Sequence, residues 1–103
     1  MGAPLCKLSL ICPSDLKVAL CDLLEALDDL VPGYTMLGAE GRGASMELAS
    51  AAERVSGAMK VVQFEMVVLR QSIDTILDCI ARGCSRRQIA YWITPIDDYG
   101  RLV

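Results

Sequence analysis

The chain has 103 residues, 53% of them hydrophobic, a net charge of -3 and no histidine. That length suits a single domain over residues 1–103, and the acidic balance excludes the basic footprint of a nucleic-acid binder. No apolar run reaches the roughly 18 residues that span a bilayer, yet the mean hydropathy of +0.40 is high for so small a chain, so part of its surface is expected to meet another copy of itself.

At the N-terminus, Leu8-Ser9-Leu10-Ile11 is too short for the apolar core of a signal peptide, and Lys7 is poorly placed to precede one. Met1-Gly2 is followed by Cys6 where a myristoylation signal needs Ser or Thr. The expected location is cytoplasmic, with no direct membrane insertion. Leu5 to Cys12 reads as the first strand: Cys6, Leu8, Leu10 and Cys12 share one face, and Lys7 and Ser9 the other. Pro13 ends it. Ser14 is placed to cap a helix, with Asp15 at its positive end. Leu16, Leu20, Leu23 and Leu27 recur at helical spacing, and Ala19 and Leu30 widen the stripe. Pro32-Gly33 stops the segment.

Tyr34 to Glu40 reads as the second strand and Met59 to Leu69 as the third. On the third, Val62, Phe64, Met66 and Val68 form an apolar face. Val61, Gln63, Glu65 and Val67 form a mixed one, suited to a subunit contact or a cleft. Ser72 is placed to cap a second helix, whose stripe is Ile73, Ile76, Leu77 and Ile80, and Arg82-Gly83 closes it. The basic corner Cys84-Ser85-Arg86-Arg87 leads to a fourth strand, Ile89 to Thr94, which Pro95 ends. The order β-α-β, long loop, β-α-β predicts an α+β, ferredoxin-like βαββαβ fold: a four-stranded antiparallel sheet with both helices on one face.

The long loop, residues 44–57, is the segment the rest is expected to hold in place. Gly41 and Gly43 release the second strand by access to positive φ. Ser45 then starts a stretch in which Leu48, Ala51, Ala52 and Val55 fall on one side of a short helix. Ser45, Met46, Glu47, Leu48, Glu53 and Arg54 are its expected partner-binding residues; a loop without fixed structure is the alternative.

Gly41-Arg42-Gly43 together with Arg86, Arg87 and Arg101 has the chemistry of an anion site. Backbone N–H groups beside glycine approach an oxyanion closely, and guanidinium offers a planar fork of donors. A hinge with solvated arginines is the other reading. The five cysteines, with no CxxC among them, read as reduced thiols packed as small hydrophobes. Cys6 and Cys12 on one strand would be about 20 Å apart, at ~3.3 Å per residue. Cys79 and Cys84 are only two ligands, with Met46 and Met59 as conceivable thioether additions. No metal residues are assigned. General acid–base chemistry has no histidine to use, and Asp97-Asp98 sits in a terminal tail, so no enzyme is expected.

Gly33-Tyr34-Thr35 with Gly41-Arg42-Gly43 resembles the end of the second strand of PII signal transducers, where a G-x-T start leads to a G-x-G before the so-called T-loop. Val62-Gln63-Phe64-Glu65-Met66-Val67-Val68 is similar to the PII third strand with its glutamate, and Thr94-Pro95-Ile96-Asp97-Asp98 with Arg101 to the S-P-V-E-D…R ending. The Ser45–Gly57 loop and Tyr91-Trp92-Ile93-Thr94-Pro95 look closer to a small PII-like group often encoded beside heavy-metal efflux pumps of the resistance-nodulation-division type. The resemblance implies a homotrimer whose intersubunit clefts bind a small effector, an adenine nucleotide or a metal ion, and whose T-loop signals to a membrane transporter. It adds Thr35, which matches a threonine at the adenine, and Glu65 to the effector residues. The chain departs from PII proteins at Gly83-Cys84-Ser85-Arg86-Arg87, which is shorter than their Gly-Asp-Gly-Lys B-loop, at Val103 in place of a second arginine, and in lacking a loop tyrosine. A soft-metal buffer of the CutA kind, with Cys79 and Cys84 as ligands, and a ligand-free oligomeric scaffold are the alternatives.

Overall fold

The computed structural model describes residues 4–43, 57–84 and 88–103. Its elements are β1 (Leu5–Pro13), α1 (Lys17–Ala26), β2 (Thr35–Gly41), β3 (Met59–Leu69), α2 (Ile73–Gly83) and β4 (Ala90–Pro95). The strands form one sheet in the order β2-β3-β1-β4 with every neighbouring pair antiparallel. This is the ferredoxin-like βαββαβ fold.

Strand alternation decides which face the helices cover. Cys6, Leu8, Leu10 and Cys12 on β1 stand opposite Val68, Met66, Phe64 and Val62 on β3, and all eight are buried. Leu20 and Leu24 of α1 and Ile73, Ile76 and Ile80 of α2 close over them. One-residue slippage would turn this apolar set outward, so burial fixes the register. At the C-terminal end of α2, Gly83 leaves room for Leu23 of α1, whose Cδ1 occupies the place a Cβ would take.

Helix detail departs from the sequence reading in three ways. The buried α1 stripe runs through Leu24, while Ala19 faces solvent; the helix axis is set by its approach to the sheet, which a repeat of leucines does not specify. Ser14 opens a 3-10 turn, Ser14–Leu16, instead of capping α1. Ser72 occupies the N-cap position of α2 but makes no side-chain capping bond. A 3-10 turn, Arg70–Ser72, already brings its backbone into the helical region (φ -89°, ψ -10°), and a capping hydroxyl works from an extended residue.

Gly41 also differs from expectation. It stays in β2, paired with Met59, and the ladder keeps it extended. Among the described residues positive φ falls on Gly43 (142°) and Gly57 (72°), the two residues that flank 44–56. Nothing lies within 4 Å of a Cβ built on Gly57, so a side chain there meets strain alone. Gly57→Ala is expected to cost about 1–2 kcal/mol, the penalty of the left-handed region, with the side-chain core unchanged; urea unfolding curves measure it.

Candidate functional site

The sheet face opposite the helices carries polar groups in a defined row. Thr35, Glu65, Ser9 and Trp92 are successive cross-strand partners from β2 to β4. Gln63 Nε2 donates to Glu65 Oε1 at 2.9 Å, and Lys7 Nζ lies 3.7 Å from the same oxygen. The carboxylate is therefore held in place from two sides. Ser9 is fully buried under its row neighbours, yet its Oγ has no hydrogen-bond partner.

At the β2 end of that row lies a hollow of about 330 Å³, walled by the Pro32–Tyr34 turn, Thr35, Glu65, Val67, Tyr99 and Arg101. β4 is the opposite edge strand, so Tyr99 and Arg101 arrive only because the tail after Pro95 crosses the end of the sheet. The hollow thus combines a hydroxyl, a fixed carboxylate, a guanidinium and aromatic surface. Such a mixture suits a small polar ligand with an anionic group and a flat body.

Of the expected effector residues, Thr35, Glu65 and Arg101 come together here. Gly41, Arg42 and Gly43 do not. Gly41 ends β2 six residues beyond Thr35, about 20 Å away at ~3.3 Å per residue. Arg42 Nη2 lies 3.6 Å from Glu40 Oε2. Arg86 and Arg87 lie outside the described residues, as do the loop residues Ser45, Met46, Glu47, Leu48, Glu53 and Arg54. Sequence reasoning missed Tyr99 and Ser9. Tyr99 is the tail's one aromatic, a signal that was available; the isolation of Ser9 is visible only once the strands are paired.

Sulfur chemistry gathers on the helix side. All five cysteines are free. Cys79 lies within α2 and Cys84 just past its end, where the backbone leaves the helix (φ -133°, ψ 86°); two thiols supply half of the ligands of a closed tetrahedral site. Among the described residues no group of three or more His, Cys, Asp or Glu is arranged to hold a metal. Cys21 Sγ does contact Met36 Sδ, at 3.4 Å. Tyr34 packs its ring on Phe64, with centroids 5.8 Å apart. Its hydroxyl is pushed up to about 12, first by its hydrogen bond with Cys21, then by burial and by the electrostatic influence of the neighbouring Cys21, Glu25 and Asp22. Burial first, then Cys84, Asp15 and Cys21, pushes the Cys12 thiol up to about 11.

Both groups hold their protons longer folded than unfolded. Their contribution is present below their ordinary values of 9.0 and 10.0 and is lost as pH rises through about 11 and 12. Stability should fall as pH rises above 9, and Tyr34→Phe should flatten the part of that fall above 10. Urea melts across the alkaline range check both.

The family model described as "Protein of unknown function (DUF3240)" matches residues 3–103. The chain belongs to the DUF3240 family. No curated protein matches it significantly. Among solved structures, the DUF3240 chain is similar to a DUF3240 family protein from Shewanella baltica OS155, at 23% identity and TM-score 0.79 over 100% of both chains. It is similar to CPII, a nitrogen regulatory PII-like protein from Thiomonas intermedia K12 bound to ADP, AMP and bicarbonate, at 22% identity and TM-score 0.71 over 97% of both chains. It is also similar to Arabidopsis thaliana PII bound to citrate, at 15% identity and TM-score 0.72, over 98% of this chain and 85% of that one. At these identities the likeness establishes a PII-like fold for the DUF3240 chain. No described helix is long and apolar enough to cross a membrane.

Proposed function

We propose that this DUF3240 protein is a PII-like regulatory subunit. Three copies associate through the uncovered sheet face, a small effector binds in clefts between them, and the segment between Gly43 and Gly57 carries the bound state to a partner protein. The observation that carries this reading is the hollow in which Thr35, Glu65 and Arg101 converge. The separation of Gly41–Gly43 from that hollow supports a composite cleft, with the second half of each site supplied by the glycine end of β2 on a neighbouring copy.

The face itself supports association. Trp92 is 42% exposed and Leu37 is 54% exposed on that face, more apolar surface than a single chain can hide. A second copy would cover it.

The effector class that best fits the hollow is an adenine nucleotide. Arg101 would meet phosphate, Thr35 the base, and Tyr99 would close over the flat body. CPII binds ADP and AMP in its structure, and the transfer of that ligand class to this chain is part of the proposal. A membrane transporter, specifically a heavy-metal efflux system, is proposed as the partner on the resemblance of the Ser45–Gly57 loop and the Tyr91–Pro95 strand. An effector acts on such a partner only through its differential affinity for the states of the subunit.

Calorimetric titration with AMP, ADP, ATP, bicarbonate and divalent metals tests the effector. Saturable nucleotide binding is expected. Arg101→Ala should lose about 1.5–3 kcal/mol, the worth of a charged hydrogen bond, or about ten- to a hundredfold in affinity. Nucleotide binding unaffected by Arg101→Ala and Thr35→Ala would place the ligand elsewhere.

A further inference from the structure

The contact between Cys21 and Met36 has no place in the regulatory reading. Cys21 follows the fully buried Leu20 on α1, and Met36 lies on the helix side of the edge strand β2, in register with Phe64. The thiol of one element and the thioether of the other meet at 3.4 Å, near the surface, with Met36 38% exposed. The thiol is thus shared between Met36 Sδ and the Tyr34 hydroxyl. A proton now stands between two soft donor atoms.

We infer that Cys21 and Met36 form a two-sulfur site for one soft monovalent cation of the Cu(I) or Ag(I) class on each chain. Thiolate and thioether ligands select soft ions. Zn²⁺ is a poor fit, because its closed sites use four ligands and no group of three or more His, Cys, Asp or Glu is arranged to hold a metal among the described residues. The step is an exchange without redox change: the Cys21 S–H bond breaks, a sulfur–metal bond forms, the proton leaves to solvent, and Met36 Sδ donates a lone pair to the ion. Methionine's three rotatable bonds let Sδ withdraw enough to admit it. The site is distinct from the hollow, needs only one copy of the chain, and stands or falls separately from nucleotide binding.

Anaerobic titration of the reduced protein with Cu(I), held by a chromophoric competing chelator, tests this. The expected result is one Cu(I) bound per chain with about one proton released. Cys21→Ser should abolish the site. Met36→Leu, which preserves volume, should keep the stoichiometry and weaken binding at least tenfold. Cys79→Ser should change nothing. Circular dichroism of each variant verifies folding, and Cys21→Ala serves in place of Cys21→Ser should the latter misfold. Failure of the wild type to compete for Cu(I), wild-type affinity in Cys21→Ser, undiminished affinity in Met36→Leu, or loss of binding in Cys79→Ser would each overturn the assignment.

Discussion

Phe64→Ala should destabilise the protein by about 3–5 kcal/mol, the range for deleting a buried phenylalanine side chain. Phe64 has no exposure at all. It sits at the centre of β3, between Leu10 on β1 and Met36 on β2, and supports the ring of Tyr34. A domain of this size has about 5–15 kcal/mol to lose, so the substitution removes a large part of the total. The effect should reach further than the core. Tyr34 belongs to the turn that walls the hollow, and its hydroxyl bonds Cys21. Loss of the ring beneath it should loosen both sites. Equilibrium urea unfolding gives the stability change; a loss below 1 kcal/mol would mean that the core is not packed as described.

The second large effect concerns assembly. Trp92→Glu should convert an oligomer into single chains. Trp92 lies on the uncovered face and is 42% exposed in one chain. Its partner across β1 is Ser9, whose hydroxyl is buried and unsatisfied. Tryptophan at the centre of an interface commonly contributes at least about 2 kcal/mol, and a glutamate there adds the desolvation of a charge. Within one chain the substitution is mild, because the site already has access to water. Sedimentation should therefore show a fall in mass while circular dichroism stays unchanged. Wild-type protein that sediments as one chain, or a Trp92→Glu variant that keeps its oligomeric mass, would count against the sheet face as the contact surface.

The sheet was legible because its signals are local. Alternation at Cys6, Leu8, Leu10 and Cys12 and at Val62, Phe64, Met66 and Val68 names one buried face without knowledge of the partner strand. The helix boundaries and stripes were less so. Ala19 and Leu24 are both compatible with the leucine spacing, and only docking onto the sheet separates them. Gly41 looked like a hinge because glycine permits one, but pairing with Met59 holds it extended and moves the break to Gly43.

The candidate site was legible by residue type more than by place. Thr35, Glu65 and Arg101 do meet, although nothing periodic in 96–103 says that the tail crosses to β2. Arg42 and its flanking glycines share their chemistry, but strand length puts them at the other end. The Cys21–Met36 contact was not anticipated. Fifteen positions separate the two residues, and the α1–β2 crossover alone brings them together.

A cleft shared between copies binds its effector only when neighbouring chains are present. ADP titrated into wild-type protein and into Trp92→Glu, side by side in a calorimeter, should bind saturably at one site per chain in the assembled protein and not at all in the dissociated variant; equal affinity in both would mean that a single chain holds the whole site.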